Sequence, residues 1–342
     1  MKHFITCISL SLIFIHGNPV KAQSIRFTEL DGIYEASYRG LSVINDTTAW
    51  VCGNGGMIGR TKDAGQNWEF MQIRGAEKLD FRSIHAFSYD HVVVANAGSP
   101  AAIYSSTNGG NKWTVSYKND HPAAFLDGIR FFDFKRGLAV GDPIDGRLLL
   151  LSTTDGGASW YPVPLAPMVS SGEAVFAASG TSLRVLPDGT ALIGTGGVQS
   201  RMFRSTDFGQ SWQSIPVPHA GGKPTAGIFS VLLTTSGIIM AVGGDYENPE
   251  STSNNSWLTG NSGKKWLDIL KPPGGYRSCI EEIAKDLWMT VGPTGAEFST
   301  DKGRNWKPFV CPGANVLAAS PNKELILMAG TNKIWRVRIE RE

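Results

Sequence analysis

Long apolar runs are absent from this chain except at its amino terminus. Residues 4–15 form the one extended apolar stretch, and it is too short to cross a bilayer, which takes about 20 residues. A polar start precedes the run, and the short side chains of Val20 and Ala22 follow it. This layout is typical of a secretory signal. We therefore expect residues 1–22 to be a signal peptide, and residues 23–342 to form one exported domain without a transmembrane segment, periplasmic or extracellular.

Net charge and cysteine are also scarce. Cleavage of the signal would remove Lys2 and Lys21 and no acidic residue, leaving 30 basic against 30 acidic residues. Nucleic-acid-binding proteins usually carry a basic excess, so no nucleic-acid partner is expected. The remaining cysteines, Cys52, Cys279 and Cys311, are odd in number and do not suggest a disulfide framework. Export nevertheless permits a bridge between Cys279 and Cys311.

Helical periodicity is missing from the mature chain as well, and a repeated turn motif takes its place. Six segments follow the pattern (Ser/Thr)-x-(Asp/Asn)-x-Gly-x-x-Trp without gaps, and successive tryptophans are 45, 47, 52, 54 and 40 residues apart. This spacing is close to one four-stranded propeller blade. The third positions of the six motifs are Asp63, Asn108, Asp155, Asp207, Asn261 and Asp301.

Each position of the motif has a physical reason. The Asp or Asn side chain is expected to accept hydrogen bonds from backbone N–H groups two residues on, and the glycine to supply a positive φ. Ser or Thr would end one strand, and Trp would begin the next with a large apolar face. We therefore predict six structural hairpin turns rather than catalytic or metal sites, and no cofactor.

The two ends of the chain set the number of blades. After the sixth motif, residues 316–319, 325–328 and 334–337 give three β-rich runs without a motif, and residues 25–30 give one unused run at the other end. Pairing this N-terminal strand with the last blade would close the ring and leave no open edge. The predicted fold is an all-β, seven-bladed β-propeller closed in this way. Six blades with a loose C-terminal sheet are the alternative.

The motifs resemble the BNR/Asp-box repeat of sialidases, some glycanases and several binding propellers. The longer pattern of residues 49–68, AWVCGNGGMIGRTKDAGQNW, resembles the photosystem II stability/assembly factor family. This resemblance implies a seven-bladed propeller that acts by binding a partner protein rather than by catalysis. The motifs specify the fold more strongly than the function, because propellers carry many functions.

A first candidate site comes from aligning the blades at the strands expected to line the central channel. An aromatic residue, an arginine and a small residue recur in blades one, two and six, which lie on one side of the ring. Three guanidiniums there could bind an anion or a carboxylate, or each could pair with a neighbouring group as packing. The corresponding places in blades three and four bring Asp127 and Glu173, which would polarise the channel across its mouth. The three arginines are Arg39, Arg82 and Arg277.

A second candidate region lies in irregular loops on the face opposite the turn motifs. Blade three carries Asp142, Asp145 and Arg147, and an insertion in blade five carries Tyr246 and Glu247. Long loops on a rigid scaffold are where binding residues concentrate. A tolerated surface insertion would give the same pattern.

These features favour a secreted, monomeric binding propeller for a protein, peptide or glycan, such as an assembly or stability factor for an envelope complex. The alternative is a sialidase-like glycoside hydrolase, with Tyr246 as nucleophile, Glu247 as its partner and the arginines holding a carboxylate. Against it, the early Arg-Ile-Pro segment of sialidases is absent. No zinc-ligand, catalytic-triad or nucleotide-binding motif is present either.

Overall fold

The computed structural model describes residues 23–341, and the predicted signal peptide lies outside them. The described residues form strands and turns. They contain no helix, and therefore none that is long and apolar enough to cross a membrane. Seven antiparallel sheets form the blades of a β-propeller, which confirms the predicted fold. The ring has seven blades rather than six because the three C-terminal strands and the N-terminal strand form a seventh sheet.

The strands follow the chain around the ring. The N-terminal strand and blades one to three are β1 (Gln23–Glu29), β2 (Tyr38–Val43), β3 (Ala49–Gly53), β4 (Met57–Thr61), β5 (Glu69–Gln72), β6 (Phe81–Ala86), β7 (Val92–Asn96), β8 (Ala101–Ser106), β9 (Thr114–Asn119), β10 (Leu126–Phe131), β11 (Gly137–Ile144), β12 (Arg147–Thr153) and β13 (Tyr161–Pro162).

Blades four to seven complete the ring. Their strands are β14 (Glu173–Ala174), β15 (Leu183–Val185), β16 (Ala191–Gly194), β17 (Gly196–Gly197), β18 (Arg201–Ser205), β19 (Gln213–Pro216), β20 (Lys223–Leu233), β21 (Ile239–Asp245), β22 (Ser256–Thr259), β23 (Trp266–Leu267), β24 (Cys279–Ala284), β25 (Leu287–Gly292), β26 (Gly295–Ser299), β27 (Lys307–Phe309), β28 (Val316–Ala319), β29 (Ile326–Gly330) and β30 (Lys333–Arg341). The short strands β14 and β17 extend the sheet of blade five at its inner edge.

The N-terminal strand closes the ring as predicted. Strand β1 pairs antiparallel with β30, from Gln23 opposite Arg341 to Glu29 opposite Trp335, and forms the outer strand of blade seven. Phe27 packs against the core of that blade. The first and last parts of the described chain thereby share one sheet, and β30 has no unpaired edge along this stretch.

The hydrophobic core lies between neighbouring blades. The second strand of a blade is covered on both faces, and every residue of β3, β7 and β25 is buried. Such strands read as continuous apolar runs, because each blade packs against one neighbour on either face. The outermost strands, such as β5, contain only exposed and half-buried residues where the blade meets solvent.

All six turn motifs adopt the same turn between the third and fourth strands of a blade. In the first, the Thr61 hydroxyl donates to the Asp63 carboxylate and accepts the Gly65 N–H at 3.0 Å. The Asp63 carboxylate accepts the Asn67 N–H at 2.9 Å. The motif aspartate therefore accepts a backbone hydrogen bond, as predicted. Its donor is the N–H four residues on, not two, because the Thr61 hydroxyl accepts the Gly65 N–H that lies in between.

The glycine of each motif has a second role that its sequence position does not reveal. All six have φ between 80° and 87°, as predicted. They also contact the preceding blade. A β-carbon on Gly263 would lie 2.2 Å from Ile215 in blade four, and one on Gly110 would lie 2.4 Å from Met71 in blade one. The turn motif therefore fixes the packing between blades as well as the hairpin itself.

The three cysteines of the described chain are free. Cys52 and Cys279 are buried, and Cys311 is half-buried. The Cys279 thiol lies 3.4 Å from the backbone of Leu317, and that of Cys311 faces the Met328 sulfur at 3.8 Å. No bridge between Cys279 and Cys311 forms, and stability comes from the packing of the blades.

Candidate functional site

The antiparallel order of each blade decides which residues share a face of the ring. A first strand starts at the face where the second and third strands are joined, and the turn motifs join the third and fourth strands at the opposite face. The starts of β2, β6 and β10 therefore meet the loop after β11 and the loop after β21 at one end of the channel. We call this end the upper face.

A cavity of about 460 Å³ opens at the centre of the upper face. Its walls are contributed by all seven blades and differ around the ring. Blades one and two supply basic residues, blade three supplies acidic ones and blades four to six supply aromatic rings. The charged and aromatic residues of these walls are Arg39, Arg82, Asp127, Asp142, Phe176, Phe229, Tyr246 and Tyr276.

Four of these side chains occupy the same structural position, a β-bulge in the first strand of a blade. The register of β2 against β3 skips Arg39, and that of β6 against β7 skips Arg82. Asp127 in β10 and Phe229 in β20 are skipped in the same way. A bulge adds an unpaired residue and redirects its side chain. In this ring all four bulge residues line the cavity.

The basic side of the cavity consists of Arg39 and Arg82, as the aligned blades predicted. Arg82 donates to the Asp80 carboxylate at 2.7 Å. Within residues 23–341 Arg39 forms no ion pair, and its guanidinium donates only a long bond of 3.4 Å to the Ala178 carbonyl. Burial and the neighbouring Arg82 charge lower the pKa of Arg39. The two arginines therefore make this side of the cavity electropositive. The Arg39 guanidinium has N–H groups without a partner among the described residues, and these could bind an anion.

Arg277 does not join this pair. It precedes β24 instead of lying in a bulge, and its side chain is 2% exposed. Its Nε donates to the Glu297 carboxylate at 2.6 Å, and its Nη2 contacts the other oxygen of the same group. The three arginines therefore do not converge. Arg277 follows the packing alternative, because β26 supplies an acid that holds it in the wall, while Tyr276 and Ser278 face the cavity.

The acidic side of the cavity belongs to blade three. Asp127 and Asp142 both line it. Glu173, expected near them, lies away from the cavity wall. Its carboxylate is buried against Arg201 at 2.6 Å and accepts the Thr195 hydroxyl at 2.7 Å. The polarity expected across the channel mouth is therefore present, but Asp142 contributes to it in place of Glu173.

The channel itself is crossed by part of blade four, which sequence reasoning missed. Residues 175–182 leave the strand pattern between β14 and β15. The Ser179 hydroxyl donates to the Ser278 carbonyl at 2.7 Å, and that of Thr181 donates to the Ser230 hydroxyl at 2.6 Å. The segment therefore touches blades five and six and forms a floor under the cavity. Its signal was the Ser- and Gly-containing run of residues 179–182, SGTS, ahead of the short first strand of blade four.

The aromatic side of the cavity is a cluster from three blades. The rings of Phe176 and Phe229 are stacked with centroids 4.1 Å apart, and Tyr276 meets Phe229 edge-on at 4.7 Å. Tyr246, about half exposed, lies edge-on to the stacked pair. The insertion of blade five thus brings Tyr246 to the site. Glu247, the next residue, is exposed and does not line the cavity.

The remaining loop candidates of blade three lie outside the cavity wall. Asp145 and Arg147 are exposed. Asp145 has φ of 51° at the turn, and Arg147 donates to the Ala166 carbonyl at 3.0 Å. Of the ten candidates named from the sequence, the structure gathers Arg39, Arg82, Asp127, Asp142 and Tyr246 at one cavity. Among the described residues, no three His, Cys, Asp or Glu side chains form a group suited to a metal ion.

Comparison with known proteins gives the same architecture. No protein-family model matches the sequence, and no curated protein matches it. Two similar solved structures are titled "YCF48 bound to D1 peptide", 14% identical with a TM-score of 0.65 over 91% of this chain and 96% of that one, and "YCF48 from Cyanidioschyzon merolae", 13% identical with a TM-score of 0.65 over 91% and 98%.

An enzyme shares the fold too. The structure titled "Streptogramin B lyase structure" is 14% identical, with a TM-score of 0.67 over 92% of this chain and 98% of that one. At such identities the likeness shows the fold alone, and propellers of one fold carry unrelated functions. Membership of an Asp-box family therefore stays a prediction, and the function must be argued from the cavity.

Proposed function

We propose that the protein is an exported binding propeller that takes an acidic segment of a partner protein or peptide into the cavity of its upper face. The observation that carries this proposal is the pair of bulge arginines. Arg39 and Arg82 stand side by side, and Arg39 has no carboxylate partner among the described residues. Planar guanidiniums pair well with carboxylates.

The surroundings of the arginines support a peptide as the ligand. Aromatic rings beside a charged group are typical of the centre of protein interfaces. Phe229 and Tyr276 offer buried apolar surface next to the basic pair, and Tyr246 extends it toward solvent. The solved structure titled "YCF48 bound to D1 peptide" has the same fold and a peptide ligand, which adds weight to this proposal. A role in assembling or stabilising an envelope complex would use such a surface.

Export is part of the proposal and has its own test. The apolar run of residues 4–15 and the short side chains at Val20 and Ala22 support cleavage before Gln23. N-terminal sequencing of the protein recovered from the cell envelope or the medium should then begin at Gln23. A chain that retains Met1 and stays in the cytoplasm would contradict export.

The binding proposal is tested by crosslinking from the cavity itself. A photoreactive phenylalanine in place of Tyr246 should crosslink a partner, whereas the same residue in place of Tyr161, exposed on the outer edge of blade three, should not. The crosslinked segment, synthesised as a peptide, should bind the purified protein in calorimetry. Changing Arg39 and Arg82 together to Ala should weaken binding about a hundredfold or more, since each lost charged hydrogen bond costs about 1.5–3 kcal/mol.

The matched control is Arg304→Ala, an exposed arginine in the sixth turn motif on the opposite face. It should leave the affinity unchanged. Equal binding by the double variant and the wild type would overturn the proposal. Retention of a glycan instead of a peptide would change the ligand class. Turnover of fluorogenic sialosides that disappears in Tyr246→Phe would favour the hydrolase alternative.

A further inference from the structure

Asp127 is the least satisfied charged side chain at the cavity. It is the bulge residue of β10 and is 1% exposed. Neither of its carboxyl oxygens has a hydrogen-bond partner among the described residues. Burying a carboxyl group without a partner is costly, and native proteins satisfy nearly all such groups. A group left in this state at the wall of a binding cavity therefore points to a ligand.

Asp142 stands beside Asp127 on the same blade. It follows Gly141 at a second irregularity, between β11 and β12, and lines the same cavity. Its Oδ1 accepts one long bond of 3.3 Å from the Val175 N–H. Burial raises the pKa of Asp142 to about 6. Burial and the Asp142 charge together hold the pKa of Asp127 well above its usual range.

The neighbouring cations do not neutralise this acidic pair. Arg82 lies close enough to lower the pKa of Asp127 somewhat, but its Nε bonds to Asp80 on its own blade. Arg39 lies beyond it on blade one. Asp127 and Asp142 repel each other in the largely buried wall of the cavity. A positive charge beside them would stabilise both carboxylates, because an opposite charge at close range favours the ionised form.

We propose that Asp127 and Asp142 bind a basic group of the ligand, a lysine or arginine side chain, while Arg39 and Arg82 bind an acidic group beside it. This inference rests on the peptide-binding function proposed above and names its ligand more closely: a segment with a basic and an acidic residue close together. In an extended peptide, side chains two residues apart point the same way about 7 Å apart, so they could reach adjacent blades.

The aromatic side of the cavity suits the rest of such a ligand. Lysine and arginine carry a long aliphatic stem that packs against apolar surface while the charged end reaches a polar group. Phe176, Phe229 and Tyr276 provide that surface on blades four to six of the same cavity. A lysine or arginine therefore matches this wall better than a metal ion, for which the described residues gather no third ligand.

The test is selection from a library of N-acetylated, C-amidated hexapeptides by the immobilised protein. The wild type should enrich peptides with Lys or Arg within two positions of Asp or Glu. Asp127→Asn, which keeps the shape of the side chain, should lose the basic preference and keep the acidic one. A selected lysine peptide should bind this variant about ten to a hundred times more weakly, whereas its norleucine counterpart should bind both proteins equally.

Asp142→Asn serves as a second variant should Asp127→Asn fold poorly, and it should show the same loss. Asp145→Asn is the matched control. Asp145 is exposed in the same loop, and asparagine, like aspartate, tolerates the positive φ of 51° at this position. An acidic preference without a basic one in the wild type, or a basic preference that survives both cavity variants, would overturn this inference and leave the binding function standing. If no peptide is retained at all, both proposals fail.

Discussion

Arg277 and Glu297 form a closed ion pair in the wall of blade six. Arg277 bonds to both carboxylate oxygens through Nε and Nη2, and it also donates to the Thr294 hydroxyl at 2.9 Å. Side-chain exposures of 2% and 5% show that neither charge meets water. The arginine that looks equivalent to Arg39 and Arg82 in the sequence is therefore held by a buried acid. Arg82 pairs instead with the partly exposed Asp80, and Arg39 forms no ion pair among the described residues.

Breaking this pair should destabilise the fold. Arg277→Ala leaves the Glu297 charge buried without its counter-charge, which costs about 3–5 kcal/mol. Urea unfolding should show a matching loss, while Arg304→Ala, exposed on the other face, should change the free energy of unfolding by no more than about 0.5 kcal/mol. A stable Arg277→Ala protein with impaired peptide binding would instead restore Arg277 to the binding site.

The glycine of the fifth turn motif should be intolerant of a side chain. In Gly263→Ala the new methyl group meets Ile215 at 2.2 Å, and the backbone keeps φ at 82°. Together, the strain and the overpacking should cost about 2–4 kcal/mol in unfolding experiments. Gly260 lies in the same turn, and nothing lies within 4 Å of its β-carbon position. If Gly260→Ala lost as much stability, the contact between blades would not be the cause.

The N-terminal strand should stabilise the ring through one face only. Phe27 lies opposite Val337 and packs on the core of blade seven, whereas Thr28 is exposed. Phe27→Ala should lower the free energy of unfolding by about 2–4 kcal/mol. It should also speed proteolysis where β1 pairs with β30. Thr28→Ala should stay within about 0.5 kcal/mol of the wild type. Equal effects would mean that β1 adds little to closure.

Asp142 should make the fold less stable as the pH rises. Its pKa is raised from 3.8 to about 6 by burial, so the folded state favours the protonated acid. That contribution is complete below about pH 4 and is lost as the pH rises through about 6. Relative to the wild type, Asp142→Asn should therefore gain up to about 3 kcal/mol between pH 4 and pH 8.

Thermal unfolding of both proteins across this range measures the difference. Asp145→Asn, in the same loop, reports the effect of a substitution that lies outside the cavity. A difference in stability between the wild type and Asp142→Asn that stays constant with pH would mean that water fully hydrates the Asp142 carboxylate and that its pKa is not raised.

The amino-acid sequence was enough to predict the scaffold. Six copies of one turn motif, near blade-length spacing, three motif-free strands at the C-terminal end and one at the N-terminal end were enough to predict seven blades and their closure. This worked because each motif is local: Thr61, Asp63 and Gly65 bond within a single turn, so their meaning does not depend on the rest of the fold. It also located Arg39, Arg82, Asp142 and Tyr246, which the structure places around one cavity.

Which of the predicted residues face that cavity depends on packing in three dimensions. Arg39 and Arg277 stand in the same local pattern, but a bulge turns the first inward and Glu297, twenty residues after Arg277, captures the second. The segment across the channel and the unpartnered Asp127 depend on contacts between blades that are far apart in the chain. Register irregularities and ion pairs of this kind are set by packing between blades, and a local motif carries no record of its distant neighbours.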